Sequence, residues 1–170
     1  AAISATSITN NTFCTGDTVI FTAASGGVSA TYDFKFNTTS YQNGNSNIFD
    51  TSSFPAITIT DGSVFEVIVT TPSGCSSIAS VTLVENAITD PGTLSSTKAS
   101  ICLNEIPAPI VGTAASGTGT ITYRWQVASN GAYSPIGGAF SSTYTPTTSL
   151  SSTTYYQRIT RSEFNGITCE

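Results

Sequence analysis

Apolar and polar residues alternate over short stretches along most of this chain. Tyr32-Asp33-Phe34-Lys35-Phe36 places a bulky side chain at every second position, and Tyr123-Arg124-Trp125-Gln126-Val127 repeats the arrangement. A period of two puts the bulky side chains on one face of an extended segment, which predicts strands with one buried face. On this pattern strands are expected near 3–8, 18–23, 32–37, 47–49, 56–60, 64–70 and 77–84, then near 108–112, 121–128, 133–136, 142–145 and 154–161. Val, Ile, Thr, Tyr and Phe dominate them, the residues that fit a pleated, half-buried surface. Asn43-Gly44, Asp61-Gly62, Pro72-Ser73-Gly74 and Asn130-Gly131 supply turn chemistry between them. No window combines helical periodicity with a cap, so helix is expected to be nearly absent. Short strands at this spacing predict an all-β sandwich architecture.

The chain also resembles itself. Thr22-Ala23-Ala24-Ser25-Gly26 recurs as Thr113-Ala114-Ala115-Ser116-Gly117, and the same offset of 91 carries Phe34 onto Trp125. Phe13-Cys14 aligns with Ile101-Cys102. Two units of about this length predict tandem modules: one spanning 1–86, the other 87–170, with the boundary near Asn86–Pro91 and Asp90-Pro91-Gly92 supplying turn chemistry before the second. A large aromatic on the third strand of such a unit plugs its core, so Phe34 and Trp125 are the expected core residues. After Cys75 the first unit continues into an apolar strand, whereas Cys169 is followed only by Glu170. The second unit is therefore expected to lack its final strand, and the sequence to be a segment of a longer chain.

Four cysteines allow three pairings. The repeat selects Cys14–Cys75 and Cys102–Cys169, each worth about 4 kcal/mol on chain-entropy grounds. Such bonds predict an oxidising, extracellular location. Their wide spacing excludes CxxC redox and zinc sites.

Composition narrows the function. Charged residues are 9% of the chain, with no His, and Lys35, Lys98, Arg124, Arg158 and Arg161 are scattered. Nucleic acid is not an expected partner, since phosphate binding needs clustered cations. No apolar run reaches the length of a membrane span, so membrane insertion is not expected. A Ser–His–Asp triad is impossible without His. Ser95-Ser96-Thr97-Lys98 fits an S-x-x-K pattern but lacks the helix start that chemistry needs. Asp33, Asp50, Asp61 and Glu66 are the carboxylates to consider for glycoside hydrolysis, with solvated strand and turn roles as their default. Asp90 is the one candidate for an interdomain calcium, although no D-x-D-x-D cluster accompanies it; no metal, cofactor or catalytic residue is expected. Tyr41, Tyr133 and Tyr144 are candidate sugar-stacking residues, against the ordinary role of tyrosine at a sandwich rim.

The second unit reads Asp90-Pro91-Gly92, Ile101-Cys102, Tyr123-Arg124-Trp125-Gln126, Tyr144-Thr145-Pro146, Thr153-Thr154-Tyr155-Tyr156-Gln157-Arg158 and Cys169. It resembles the tandem immunoglobulin-like repeats of giant cell-surface adhesins of Bacteroidetes, in particular the mobile adhesin of gliding flavobacteria. The first unit is looser and resembles the PKD-type or immunoglobulin-like modules beside such repeats, its Phe13-Cys14-Thr15-Gly16-Asp17 matching their usual entry into the second strand. The resemblance implies a secreted, surface-attached protein exported by type IX secretion, with this segment serving as stalk in adhesion and gliding motility. Its partners would be neighbouring repeats, with surface polysaccharide or a substratum met through other parts of the parent protein. Asp17-Thr18-Val19 resembles the short O-glycosylation site of that phylum, which makes Thr18 a candidate. The alternative is a carbohydrate-binding or accessory β-sandwich module of a secreted enzyme.

Overall fold

The computed structural model describes every residue of the chain except Ser7 and Ala99. Among the described residues there is no α-helix, and one 3-10 turn, Thr51–Ser53, interrupts the strands. The chain divides into two compact units, Ala1–Asn86 with Asn165–Ile167, and Ala87–Phe164 with Thr168–Glu170.

The first unit contains β1 (Ile3–Thr6), β2 (Thr12–Cys14), β3 (Ile20–Ala23), β4 (Thr31–Phe36), β5 (Thr39–Gly44), β6 (Ile48–Asp50), β7 (Val64–Thr70), β8 (Ser76–Thr82) and β9 (Val84–Asn86). They form a four-stranded sheet ordered β5-β4-β7-β8, a three-stranded sheet β1-β3-β6 and a parallel pair β2-β9. The alternation read from the sequence is realised directly. Tyr32, Phe34 and Phe36 of β4 and Phe65, Val67 and Val69 of β7 are buried, while Asp33, Lys35, Glu66 and Ile68 lie on the other face. Phe21 and Phe49 of the smaller sheet meet them, with Phe21 stacked on Phe65 at 4.0 Å and Phe34 on Phe49 at 5.5 Å. The core is thus an aromatic layer between two sheets. Each fully buried phenylalanine is worth about 1.5–3 kcal/mol relative to exposure.

The second unit contains β10 (Ile88–Asp90), β11 (Leu94–Ser96), β12 (Ile110–Gly112), β13 (Ser116–Gly117), β14 (Thr120–Ala128), β15 (Ser134–Pro135), β16 (Tyr155–Phe164) and β17 (Ile167–Cys169). Its main sheet is ordered β15-β14-β16-β17, flanked by the pairs β10-β13 and β11-β12. Trp125 is fully buried, with its ring 5.6 Å from Tyr144, which lies 5.5 Å from Tyr156.

The repeat is written into the strand register. Tyr32 pairs with Val69 and Phe34 with Val67; adding 91 to each gives Tyr123 with Thr160 and Trp125 with Arg158, both of which are pairs of β14 with β16. The Thr-Ala-Ala-Ser-Gly segment has one purpose in both units. The hydroxyl of Tyr32 accepts the Gly26 N–H at 2.9 Å, and that of Tyr123 accepts the Ala115 N–H at 2.8 Å. Glycine ends the segment because nothing larger fits. A Cβ on Gly26 would lie 2.6 Å from Val69 Cγ1, and one on Gly117 would lie 2.5 Å from the Ala87 carbonyl oxygen. The cysteine turns correspond too: Asp17 accepts the Cys14 N–H at 2.8 Å and Glu105 the Cys102 N–H at 2.9 Å.

Several strands fall where the periodicity does not place them. Residues 39–44 form β5 because the reversal occurs earlier, at Asn37 and Thr38, both with positive φ. Residues 56–60 make no strand; Ile57 and Ile59 still pack on the core, from an irregular segment held by Ile57 N–H to the Phe54 carbonyl. Residues 142–145 supply a single bridge, Tyr144 to Ile110. The short β10, β11, β13 and β17 were outside the expected set.

The cysteine pairing is the main correction. Cys14 and Cys169 are disulfide-bonded, whereas Cys75 and Cys102 are free and exposed. Strand geometry explains why the within-unit pairs fail. Cys14 lies beside Asn86 in the β2-β9 register, and Cys75 precedes β8 at the far end of the same run. Eleven residues at ~3.3 Å each span roughly 30 Å or more, against Cα separations below about 7 Å in a disulfide. Cys102 in turn lies near the start of β16, with Thr154 and Tyr156. Cys169 sits on β17, which returns from the opposite end of β16 through Asn165-Gly166. Native protein under non-reducing conditions is therefore expected to titrate two thiols with a disulfide reagent, and four after denaturation and reduction. Zero or four thiols in the native titration would contradict this assignment.

Candidate functional site

The expected chemical residues are dispersed. Asp33 and Glu66 share Lys35, at 3.8 and 3.7 Å, and Ser40 donates to Asp33, which leaves a surface ion cluster on the outer face of the large sheet. Asp50 caps the 3-10 turn, accepting the Ser52 N–H at 2.9 Å. Hydrogen bonds from the Ser52 side chain and backbone hold its carboxyl below the ordinary range. Asp61 accepts the Glu85 N–H at 3.0 Å. Asp33 and Glu66 thus meet only through Lys35, while Asp50 and Asp61 each serve a main-chain N–H of their own. Asp90 accepts the Gly92 N–H at 2.7 Å, the work of a turn former. Among the described residues no group of three His, Cys, Asp or Glu side chains is gathered to hold a metal.

The tyrosines are also separated. Tyr41 packs edge-on against Phe36 and Phe54, and Tyr144 belongs to the core beside Trp125. Tyr133 alone is exposed, at 44%. Ser95 and Ser96 lie on β11, and Lys98 is engaged by Glu105 at 3.0 Å. Thr18 is exposed beside Asp17, on the segment that enters β3. No helix is long and apolar enough to cross a membrane.

What the second unit does possess is a groove of about 550 Å³ beside the first half of β16. Ile101, Cys102, Pro107, Ile110, Leu150 and Tyr156 give it an apolar floor. Burial pushes the Tyr156 hydroxyl above its ordinary pKa, with Tyr144 adding to the shift. At the rim, Glu105 holds the Cys102 turn: it accepts the Cys102 N–H and the Lys98 ammonium, and both, the backbone bond first, keep its carboxyl below the usual range. Asn104, at positive φ, and Leu150 close the loop, through Asn104 N–H to the Leu150 carbonyl and Leu150 N–H to the Glu105 carbonyl.

The sign of the pH effect follows. Glu105 is more acidic folded than unfolded, so its contribution is present above the ordinary glutamate value and is lost as pH falls through the folded value. Glu105→Gln is expected to flatten the acid arm of the stability–pH curve and leave the neutral arm's slope unchanged. An unchanged acid arm would contradict it.

Sequence reasoning missed Arg158. It stands where Val67 is buried in the first unit, yet it carries a charge. Its guanidinium donates to the carbonyls of Thr113 at 2.9 Å, Ser142 at 3.1 Å and Pro91 at 2.6 Å, and lies 4.7 Å from the Tyr123 ring centroid. Thr160 Oγ1 donates to the same Pro91 carbonyl at 3.1 Å. The side chain thereby ties Asp90-Pro91-Gly92, the end of the Thr113 segment and the Ser142 loop to one strand. Gly112 must be bare for this: a Cβ there would come within 2.2 Å of an Arg158 nitrogen. A period-two reading places residue 158 on the core face, which was the available signal.

A second, shallower groove lies along Ile121–Arg124 beside Phe140 and Arg161. There Glu170 pairs with Arg161 at 2.8 Å and Arg124 at 3.8 Å.

These features define an all-β, disulfide-containing protein in which the polar groups hold loops and turns. A family model described as a domain of unknown function, DUF8696, matches residues 90–170. None of the curated proteins matches the chain.

Proposed function

We propose that this chain is a structural segment of a secreted cell-surface adhesin: two tandem immunoglobulin-like sandwiches that give a stalk length and continuity, serving surface attachment and gliding. One observation carries the reading. The β4–β7 pairs of the first unit become the β14–β16 pairs of the second on adding 91 to each residue number, with Phe34 and Trp125 buried at matching places. A repeated unit of this kind, many of whose ionisable side chains are engaged in turns, surface ion pairs and main-chain carbonyl contacts, suits a spacer. Antibodies raised against the purified chain are expected to label intact, unpermeabilised cells of the source organism. Labelling that requires permeabilisation would overturn the surface assignment. A spacer is also expected to give no specific retention on immobilised polysaccharides or a glycan array. Retention abolished by Tyr133→Ala would instead favour an accessory carbohydrate-binding module.

A further inference from the structure

In the first unit β5 covers the edge of β4 from Tyr32, opposite Gly44, to Phe36, opposite Thr39. The second unit treats the equivalent edge differently. β15 pairs with β14 only at Gln126 and Val127. Ile136 then donates to the Trp125 carbonyl at 2.9 Å, the chain turns at Gly138, and the Ala139 carbonyl accepts the Trp125 N–H at 3.2 Å. Beyond that point the chain leaves the edge, because the Ser141 carbonyl accepts the Trp125 indole N–H and the Ser142 carbonyl accepts Arg158. Residues 129–142 are all described, so the gap they leave beside Thr120–Arg124 belongs to the path they take. Main-chain groups alternate sides along a strand. Ile121 and Tyr123 therefore point their N–H and C=O the same way as Trp125, where no strand among the described residues pairs with them. The groove of about 470 Å³ runs along this gap. Its lining divides by face: Ile121 and Tyr123 share the side of Trp125, while Thr122 and Arg124 share the outer side, with Arg161 opposite Thr122. Phe140 adds an apolar wall that is 65% exposed. Two of the chain's five cations line the groove. Neither Glu170, which pairs with both, nor Glu163, which faces Thr120 across the strands, does so. Arg124 Nε is buried and has no hydrogen-bond partner.

We infer that the open edge of β14 at Thr120–Arg124 seats an extended peptide whose residues alternate between acidic and apolar. The alternation follows from the sheet itself. A strand added to this edge sends every second side chain to the outer face, beside Arg124 and Arg161, and the others toward Ile121, Tyr123 and Phe140. Acidic residues complement the first set and aliphatic or aromatic residues the second. Main-chain hydrogen bonds to Ile121 and Tyr123 supply affinity, and the alternate side chains supply specificity, as in recognition by strand addition. An open edge is otherwise a template for indiscriminate pairing, and charge placed beside it is the usual guard. Here the guard is cationic, so it turns away basic strands and admits acidic ones. The inference concerns one edge of the second unit and holds for a spacer and for an accessory module alike.

The test adds a blocked peptide of alternating Glu and Val to the full chain, at concentrations up to the millimolar range, and follows amide hydrogen exchange by NMR. Exchange at Ile121 and Tyr123 is expected to slow by about tenfold at saturation. Thr122 and Arg124, whose amides face β16, are expected to keep their rates and serve as the internal control. Two further peptides separate strand addition from simple charge attraction. One replaces Glu with Lys and is expected to leave exchange unchanged. The other keeps the Glu and Val side chains but carries N-methyl groups on alternate amides of the pairing edge, and it too is expected to be inactive. Replacing both cations, Arg124→Gln with Arg161→Gln, is expected to weaken binding by about tenfold, with the fold checked by circular dichroism. Slowed exchange confined to Ile121 and Tyr123, and lost on N-methylation, supports the seat. Unchanged exchange with the Glu and Val peptide, or equal effects of the N-methylated or Lys peptides, overturns it and leaves the surface-labelling result unaffected.

Discussion

Replacing Trp125 with alanine is expected to cost about 3–5 kcal/mol of folding stability, the usual range for removing a buried tryptophan. The side chain is fully buried, its ring lies against Tyr144, and its Nε1 donates to the Ser141 carbonyl at 2.8 Å. Truncation therefore opens a cavity and leaves a carbonyl without its donor at once. The second unit has little else to absorb the loss: besides Trp125, its buried apolar residues among those described are the small Ala128, Pro146 and Cys169. Trp125→Phe keeps most of the volume and loses the hydrogen bond, so it is expected to fall between wild type and alanine. Urea denaturation followed by far-UV circular dichroism reads all three. A loss below about 1 kcal/mol for the alanine variant would mean that the aromatic plug does not carry this unit.

The second large effect is expected at Arg158. Its three hydrogen bonds to main-chain carbonyls are charge-assisted, a class worth about 1.5–3 kcal/mol each when measured singly. They share one partly exposed group, so removal of the guanidinium is expected to cost about 2–4 kcal/mol in total, not the sum of three. Arg158→Met keeps the aliphatic stem and exposes the missing donors cleanly. Lysine is expected to rescue little, because a single ammonium cannot span carbonyls on three segments while lying over the Tyr123 ring. Denaturation midpoints of the two variants test this, and lysine matching wild type would refute the fork geometry.

Val67 and Arg158 together show how far the sequence was readable. Period-two alternation located β4, β7, β14 and β16, since each buries one face and that requirement fixes side-chain order. The same rule placed residue 158 inward but could not say that an inward arginine would find three carbonyls, because these come from segments distant in sequence. Short strands such as β10 and β13 carry too few residues to show a period. Asn165-Gly166, which was not among the turns read from the sequence, has both residues at positive φ and produces β17. Asn43-Gly44 carries the same letters inside the β5 register, opposite Asp33 and Tyr32. Cysteine pairing was beyond the pattern altogether. Repetition identifies which cysteines are equivalent, Cys14 with Cys102 and Cys75 with Cys169, but equivalence is silent on which sulfur lies near which.

Two solvent-facing thiols per molecule make this chain bifunctional toward oxidants. A protein with one such group can only dimerise by oxidation; one with two can propagate. Air-oxidised, concentrated samples are accordingly expected to form linear disulfide oligomers, seen as a regular ladder on non-reducing gels that collapses with dithiothreitol. Cys75→Ser or Cys102→Ser alone would cap growth at the dimer, and the double substitution would leave a monodisperse preparation.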